Sequence, residues 1–160
     1  MKYLFFLLMF SFQCTANTFH HIYLTTQAET KHKNINPSLS NCGRLRAHQL
    51  STLLSYSEIE RIYSTTERST METANPLATR NGIPVKIFTE KLLDSLAVTV
   101  MQETKNVLIV ADQGTIEFLV EFISDHKINT TEKNKHTILY QITITDEHQI
   151  VTALKQPLEC

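Results

Sequence analysis

The stretch IYSTTERSTMETANPLATRNGIPV, residues 62–85, decides the fold because it joins two strand patterns through one helical pattern. Its first residues complete a strand pattern around Ile59 to Ser64, and its last residues lie in the strand pattern IPVKIF. Between them, apolar side chains recur at helical spacing, at Met71, Ala74 and Ala78. The pair Asn81-Gly82 that follows is typical of a helix C-terminus. The stretch therefore predicts a strand–helix–strand unit.

Strand and helix patterns also alternate on both sides of this unit. They are the strand HIYLTT (21–26), the helix SNCGRLRAHQLSTLLS (40–55) with Ser40 as its cap, the helix EKLLDSLAVTVMQET (90–104), the strand NVLIV (106–110), the helix TIEFLVEFIS (115–124) and two late strands, HTILYQITITD (136–146) and QIVTAL (149–154). The consecutive aliphatic residues of NVLIV indicate a central strand that is covered on both faces. The order predicts an α/β fold, a three-layer sandwich with a largely parallel central sheet and a final hairpin.

Composition indicates one domain and disfavours one class of partner. The 160 residues, 42% of them hydrophobic, suffice for a single sizeable core, so we expect one domain over residues 17–160. The formal net charge is −1, and the Lys and Arg residues are scattered along the chain. A nucleic-acid partner is therefore not expected.

The first 16 residues have the pattern of a secretory signal peptide. One Lys precedes an apolar run from Tyr3 to Phe12, and the small residues Thr15 and Ala16 offer a cleavage point. The run is too short to span a bilayer, which needs about 20 residues. We expect a periplasmic or secreted protein. One alternative is a buried first strand. The other is a lipoprotein acylated at Cys14, which would be the one route to a membrane, but the bulky Gln13 disfavours it.

Removal of the leader leaves two cysteines, Cys42 and Cys160. In an oxidising compartment such a pair is a candidate disulfide, and it would close a loop that stabilises the fold by on the order of 4–5 kcal/mol in the chain-entropy model. Two separate thiols remain the alternative, because the sequence does not give their geometry.

The predicted sheet also predicts where a ligand would bind. In sheets of this kind ligands lie beyond the carboxyl ends of the strands. Three loops should converge there, at residues 25–29, 64–69 and 111–115. Any site should be built from these loops.

These loops and their flanks resemble the motifs of the histidine phosphatase superfamily, whose phosphoglycerate-mutase-like fold includes small phosphohistidine phosphatases. IYLTTQAE resembles the family's strand followed by Arg-His-Ala-Glu, and NPSLSNCGRLRA resembles its Asp-Pro-x-Leu-Thr-x-x-Gly-x-x-x-Ala entry to the first helix. IYSTTERSTMETANPLATRNGIPV resembles its Tyr-Ser-Ser-Pro strand end, Glu-Thr-Ala helix and Gly-x-Pro-Val strand start, and VLIVADQGTI resembles its Val-Gly-His-x-x-Thr strand end. The resemblance covers most of the chain after the leader.

The positions that carry the family's chemistry differ in this chain. The family uses a nucleophilic His, two Arg and a second His around the phosphoryl group, and usually a carboxylate as proton donor. The matching positions are, in this sequence, Gln27 for the nucleophile, Thr26 and Ser69 for the two Arg, and Asp112 for the second His. Arg68 lies one residue before its motif position, so its guanidinium is expected at most at the pocket rim, and Asp94 lies near the usual acid or is a solvated helix residue.

These replacements predict a pocket without catalytic residues. An amide such as Gln27 has no free nitrogen lone pair with which to hold a phosphoryl group. No cation remains at the four positions, and the carboxylate of Asp112 repels a phosphate by about 4 kcal/mol at 4 Å and a dielectric constant of about 20. The resemblance thus implies a pseudophosphatase that needs no cofactor and acts by binding a small molecule or a protein partner.

Several alternatives stay open at this point. A divergent phosphatase could use Asp112 or Asp94 as a base toward water, with Arg68 holding the anion. The pocket could instead be filled by its own neutral side chains in a purely structural subunit.

Two other site types find little support. VLIVADQGTI also resembles half of a haloacid dehalogenase signature, but with Gly114-Thr115 aligned the two Asp positions become Ala111 and Gln113. No metal site is expected: His20 and His21 should lie at the surface or form a weak metal pair, and the remaining histidines lack ligand spacing.

Overall fold

Six strands and four helices alternate along the part of the chain that the computed structural model describes, residues 19–31, 35–128 and 135–158. The strands are β1 (His20–Thr26), β2 (Ile59–Ser64), β3 (Val85–Ile87), β4 (Asn106–Ala111), β5 (Ile138–Ile144) and β6 (Gln149–Lys155). The helices are α1 (Asn41–Leu53), α2 (Arg68–Asn81), α3 (Leu93–Gln102) and α4 (Gln113–Ser124). Short 3-10 helices occupy Glu90–Leu92 and Lys135–Thr137.

The strands form one sheet in the order β3-β2-β4-β1-β5-β6. β3, β2, β4 and β1 are parallel to one another, whereas β5 pairs antiparallel with both β1 and β6. The predicted α/β sandwich with a largely parallel sheet and a late hairpin is therefore confirmed.

The two central strands, β1 and β4, are covered on both faces. Their side chains alternate between two cores. Ile22 and Leu24 of β1 belong to the core beneath α3 and α4, whereas Tyr23 belongs to the core beneath α1 and α2. In β4 the same alternation separates Ile109 from Leu108, and both are fully buried. The aliphatic run NVLIV is thus a central strand, as predicted.

The predicted ends of two helices are confirmed. Ser40 caps α1, since its hydroxyl accepts a hydrogen bond from the backbone N–H of Gly43 at 3.0 Å. α2 ends at Gly82, whose φ of 67° lies in the left-handed region that glycine adopts without strain.

Three local predictions differ from the structure. The helix predicted from residue 90 begins with a 3-10 turn, and α3 starts only at Leu93, because the backbone of Leu92 (φ −123°, ψ 28°) is not helical. β3 is shorter than IPVKIF because it pairs with β2 over three residues only. The expected surface position of His20 is wrong: β1 includes this residue, which is buried and whose Nε2 donates to the carbonyl oxygen of Val100 at 2.9 Å.

Residues 1–18 and 159–160 lie outside the described residues, so the leader, the lipidation of Cys14 and the Cys42–Cys160 disulfide stay predictions. The described chain end is nevertheless held against the helix that carries Cys42. Arg46 Nη1 donates to the carbonyl oxygen of Leu158 at 3.1 Å, and the Leu158 N–H donates to Gln49 Oε1 at 3.3 Å. Within the described ranges, no helix has the length and apolar character to cross a bilayer.

Candidate strand-end site

The carboxyl ends of β1, β2 and β4 meet at one edge of the sheet. Thr26 of β1 lies opposite Ala111 of β4, and Ser64 of β2 lies opposite Val110. The Gln27 N–H donates to the Ala111 carbonyl oxygen at 3.0 Å, which ties the first two loops together. The three loops predicted to form a site therefore converge.

Gln27 is the residue that the motif resemblance aligns with the family's nucleophile. Its side-chain oxygen Oε1 is buried and has no hydrogen-bond donor among the described residues. Its backbone carbonyl oxygen accepts a hydrogen bond from Nδ1 of His136 at 2.6 Å. The side chain of Gln27 thus contributes a buried acceptor to the site, where the family has an imidazole.

Ser69 reaches the same edge through a relay of two hydrogen bonds. The Thr73 hydroxyl accepts from the Ala28 N–H at 3.0 Å and donates to the Ser69 carbonyl oxygen at 2.7 Å. This relay holds the first turn of α2 against the loop that follows β1. Ser69 is 2% exposed and Thr26 is 8% exposed, so both residues that the motif resemblance aligns with the family's Arg residues are buried and neutral.

Asp112 directs its carboxylate toward its own helix. It is the N-cap of α4, and it accepts hydrogen bonds from the N–H of Thr115 at 3.1 Å and from the Thr115 hydroxyl. Such a cap stabilises a helix by about 1 kcal/mol. Asp112 therefore has a structural role, and its negative charge lies beside Gln27 where the family has a second His.

Of the two residues expected near the rim, the cation Arg68 is bound elsewhere and Asp94 is exposed. Arg68 is largely exposed, and its Nε donates to the carboxylate of Glu72 at 2.7 Å, on the side of α2 that faces α1. Asp94 lies in the first turn of α3 and is exposed, as the solvated-residue interpretation expects.

A partly buried ion pair joins α1 to the loop that follows β1. Arg46 is 3% exposed and donates from Nε to both carboxylate oxygens of Glu29 at 2.9 Å, with a further contact from Nη2. Burial alone raises the pKa of Glu29. Hydrogen bonds from Arg46 and from the backbone, with the charges of Arg46 and His136, reverse this effect and hold the pKa of Glu29 below its usual value.

The segment that enters α1 packs against the same loop. Gly43 lies so close to Glu29 that a Cβ atom on it would stand 2.1 Å from the Glu29 carbonyl oxygen. Leu39 and Ala47 pack with Ala28 in a small buried cluster. These residues of the family's entry motif thus have direct structural roles.

Glu72, from the Glu-Thr-Ala motif, links α2 to this entry segment. Its Oε2 accepts from the Leu39 N–H at 2.7 Å, and its Oε1 accepts from Arg68. Burial raises its pKa, but these bonds and the nearby Lys31 bring the pKa of Glu72 below the usual value. Ala74 of the same motif is fully buried.

His136 is a potential functional residue that the sequence did not single out. The 3-10 helix Lys135–Thr137 brings it to Gln27 across 109 positions of sequence, so no local spacing could have indicated it. Because a carbonyl oxygen only accepts, Nδ1 must carry the hydrogen, and a neutral ring then keeps its lone pair on Nε2. The described residues contain no group of three or more His, Cys, Asp or Glu that could hold a metal ion.

No model of a protein family matches the chain, and no curated protein sequence matches it significantly. Several solved structures, however, match the chain in fold. The protein histidine phosphatase SixA, in complex with tungstate, superposes with a TM-score of 0.68 at 12% identity, over 84% of this chain and 96% of SixA.

Two further structures are similar over most of their length. A mycobacterial glucosyl-3-phosphoglycerate phosphatase gives a TM-score of 0.65 at 13% identity, over 88% of this chain and all of that protein. YhfR of Bacillus stearothermophilus gives a TM-score of 0.67 at 15% identity, over 87% and 98%. At such identities the likeness establishes the fold. The chain has the phosphoglycerate-mutase-like fold of the histidine phosphatase superfamily, as its motifs predict.

Proposed function

We propose that the chain is an exported pseudophosphatase, which binds a small molecule or a protein partner and does not transfer phosphoryl groups. Export to the periplasm or the exterior rests on the leader pattern of residues 1–16. Two of the similar structures, SixA and the mycobacterial protein, are phosphatases by name, so the scaffold is compatible with phosphate chemistry. The proposal therefore rests on the residues at the strand ends.

The observation that carries the proposal is the side chain of Gln27. A buried amide oxygen without a donor costs free energy, on the order of 1–3 kcal/mol, unless a ligand or water supplies the hydrogen bond. A phosphate dianion supplies only acceptor oxygens. The Gln27 oxygen therefore needs a donor that a phosphate dianion does not supply.

The charges around Gln27 support the same conclusion. Phosphoryl transfer depends on cations fixed around the phosphate oxygens. Thr26 and Ser69 are neutral, and Asp112 adds a carboxylate whose hydrogen bonds from Thr115 cap a helix. We infer that the pocket favours a neutral or cationic group with N–H or O–H donors, such as an amide or an amine.

A divergent phosphatase is the second candidate, and His136 is the observation that favours it. Its Nε2 lone pair suits a general base or a nucleophile. However, no cation accompanies it at the four family positions, and Arg68 is bound to Glu72. We therefore place this function second.

A titration with tungstate tests the proposal. Binding is monitored through the amide resonances of Gly114 and Thr115. Both amides lie at the amino end of α4, beside Asp112, so an oxyanion in the old pocket would shift them. We expect no saturable shift in the wild type. Asp112→Asn, whose amide oxygen can keep the cap, is the matched control for the negative charge. Saturable wild-type shifts at Gly114 would overturn the proposal in favour of the second candidate.

A further inference from the structure

A cavity of about 580 Å³ lies between α1 and α2. We call it the α1/α2 cleft; the lining residues that matter here are Lys31, Arg44, Ala47, Arg68, Pro76 and Thr79. Its volume falls within the range of about 300–1,000 Å³ that is typical of small-molecule pockets. The family resemblance assigns no function to this cavity.

The cleft has an excess of positive charge. Lys31, Arg44 and Arg68 line it, and Glu72 is the single carboxylate among its lining residues. That carboxylate is already engaged, because one oxygen accepts from Arg68 and the other from the Leu39 N–H. Two positive charges therefore remain without a counter-charge in the cleft.

Hydrogen-bond donors in the cleft are also unused. The backbone N–H of Lys31 donates to the Ser38 carbonyl oxygen, but its side chain makes no hydrogen bond or ion pair to any part of the chain that the structure describes. Arg68 donates from Nε to Glu72, and no described residue accepts from its two terminal nitrogens. Such a planar pair of donors matches a carboxylate.

The exposed lining surface of the cleft is mostly apolar, although polar residues such as Asn75 and Thr79 contribute to it. The partly exposed ring of Pro76 of α2 provides an apolar floor, whereas Ala47 of α1 is buried, and the exposed Thr79 lies one helical turn beyond Asn75 on the same stripe of α2. An inorganic anion would leave this floor uncovered, whereas an organic anion with an apolar body would bury it. Charge and shape thus select the same class of ligand.

We propose that the α1/α2 cleft binds a small organic carboxylate, whose anionic group lies between Lys31 and Arg68 and whose apolar body covers Pro76. This site does not depend on the proposed function of the strand-end pocket. Ser69 is buried at that pocket, whereas its neighbour Arg68 faces the cleft. The step of one residue from Arg68 to Ser69 therefore places the two residues at two different sites.

Binding of 2-naphthoate to the full chain tests this inference, with 2-naphthamide and inorganic phosphate as comparisons. We expect saturable binding of 2-naphthoate that shifts the amide resonances of His48 and Thr79 and leaves Gly114 unchanged. The neutral amide should bind about tenfold more weakly, because it lacks the charge-assisted hydrogen bonds. Phosphate should also bind more weakly.

Three variants sharpen the test. Lys31→Ala should weaken 2-naphthoate about tenfold, and Thr79→Phe, which adds bulk at an exposed helix position in the cleft, should abolish binding. Lys91→Ala removes an exposed lysine that does not line the cleft and should change nothing.

Equal affinity for naphthoate and naphthamide, wild-type affinity in Lys31→Ala, phosphate binding as tight as naphthoate, or no binding at millimolar ligand would each overturn the inference. Shifts at Gly114 instead would place the ligand in the strand-end pocket.

Discussion

The strand-end pocket and the framework that surrounds it differ in how their side chains are used. In the framework, Glu29 pairs with Arg46, Glu72 binds the Leu39 N–H, and Thr73 bridges Ala28 to Ser69. In the pocket, the amide oxygen of Gln27 has no donor among the described residues. The framework keeps the family's pattern because the fold requires those contacts. Of the pocket residues, Asp112 also caps α4, whereas the amide oxygen of Gln27 makes no hydrogen bond that holds the fold together.

The largest expected effect is in the framework, at Gly43. Gly43→Ala places a Cβ atom 2.1 Å from the Glu29 carbonyl oxygen, so backbone rather than a flexible side chain must move. We expect a loss of more than about 3 kcal/mol in the free energy of unfolding, at the upper end of the cost of overpacking. Urea denaturation measures it. Gly114→Ala is the matched control, since its Cβ would meet only an ordinary contact at 3.4 Å.

The next effect is at the partly buried ion pair between Arg46 and Glu29. Arg46→Ala leaves the carboxylate of Glu29 without its partner and releases the carbonyl oxygen of Leu158. We expect a loss of about 3 kcal/mol in the free energy of unfolding. Arg80→Ala, which removes a hydrogen bond to Ser51 at the other end of the helix pair, should cost less. Equal losses for the two variants would contradict the role given to Arg46.

The same pair predicts how stability depends on pH. The pKa of Glu29 is lower in the folded protein than in the unfolded chain, so the unfolded chain takes up the proton first as the pH falls. The stabilisation is complete above about pH 4.5, the ordinary value for Glu, and is lost as the pH falls through the folded pKa. Glu29→Gln should therefore show a smaller loss of stability between pH 4.5 and pH 3, by urea denaturation at each pH. Identical slopes for the two proteins would contradict this assignment.

The smallest effects are expected in the pocket itself. Gln27→Ala removes the cost of the unpaired oxygen but also the packing of the side chain, and because these two effects oppose each other we expect a change within about 1 kcal/mol of zero. Thr73→Ala is the comparison from the framework. It breaks the relay to Ala28 and Ser69 and should destabilise the protein by about 1–3 kcal/mol. A Gln27 variant as unstable as the Thr73 variant would remove the distinction between pocket and framework.

Much of the fold follows from local patterns in the sequence. The alternation of strands and helices, the Ser40 cap and the stop at Gly82 each depend on residues that are close in the chain. The motif positions also place Thr26, Gln27 and Asp112 at neighbouring strand ends, because parallel strands bring their carboxyl ends to one edge.

Other features depend on contacts between distant residues and leave no local pattern. The burial of His20 follows from its hydrogen bond to Val100, 80 positions away, and His136 reaches Gln27 only through the packing of the C-terminal hairpin. The α1/α2 cleft likewise depends on how two helices pack, and the sequence indicated Arg68 only as a residue near the rim of the other site.

Turnover of p-nitrophenyl phosphate by the purified chain tests the central claim most directly, because the claim is that the pocket no longer supports phosphoryl transfer. We expect the wild type, Gln27→Ala and Asp112→Asn to hydrolyse the ester at the same rate as a blank without protein. A wild-type rate well above that blank, with a loss of activity in either variant, would contradict the claim and show that the rearranged site is catalytic.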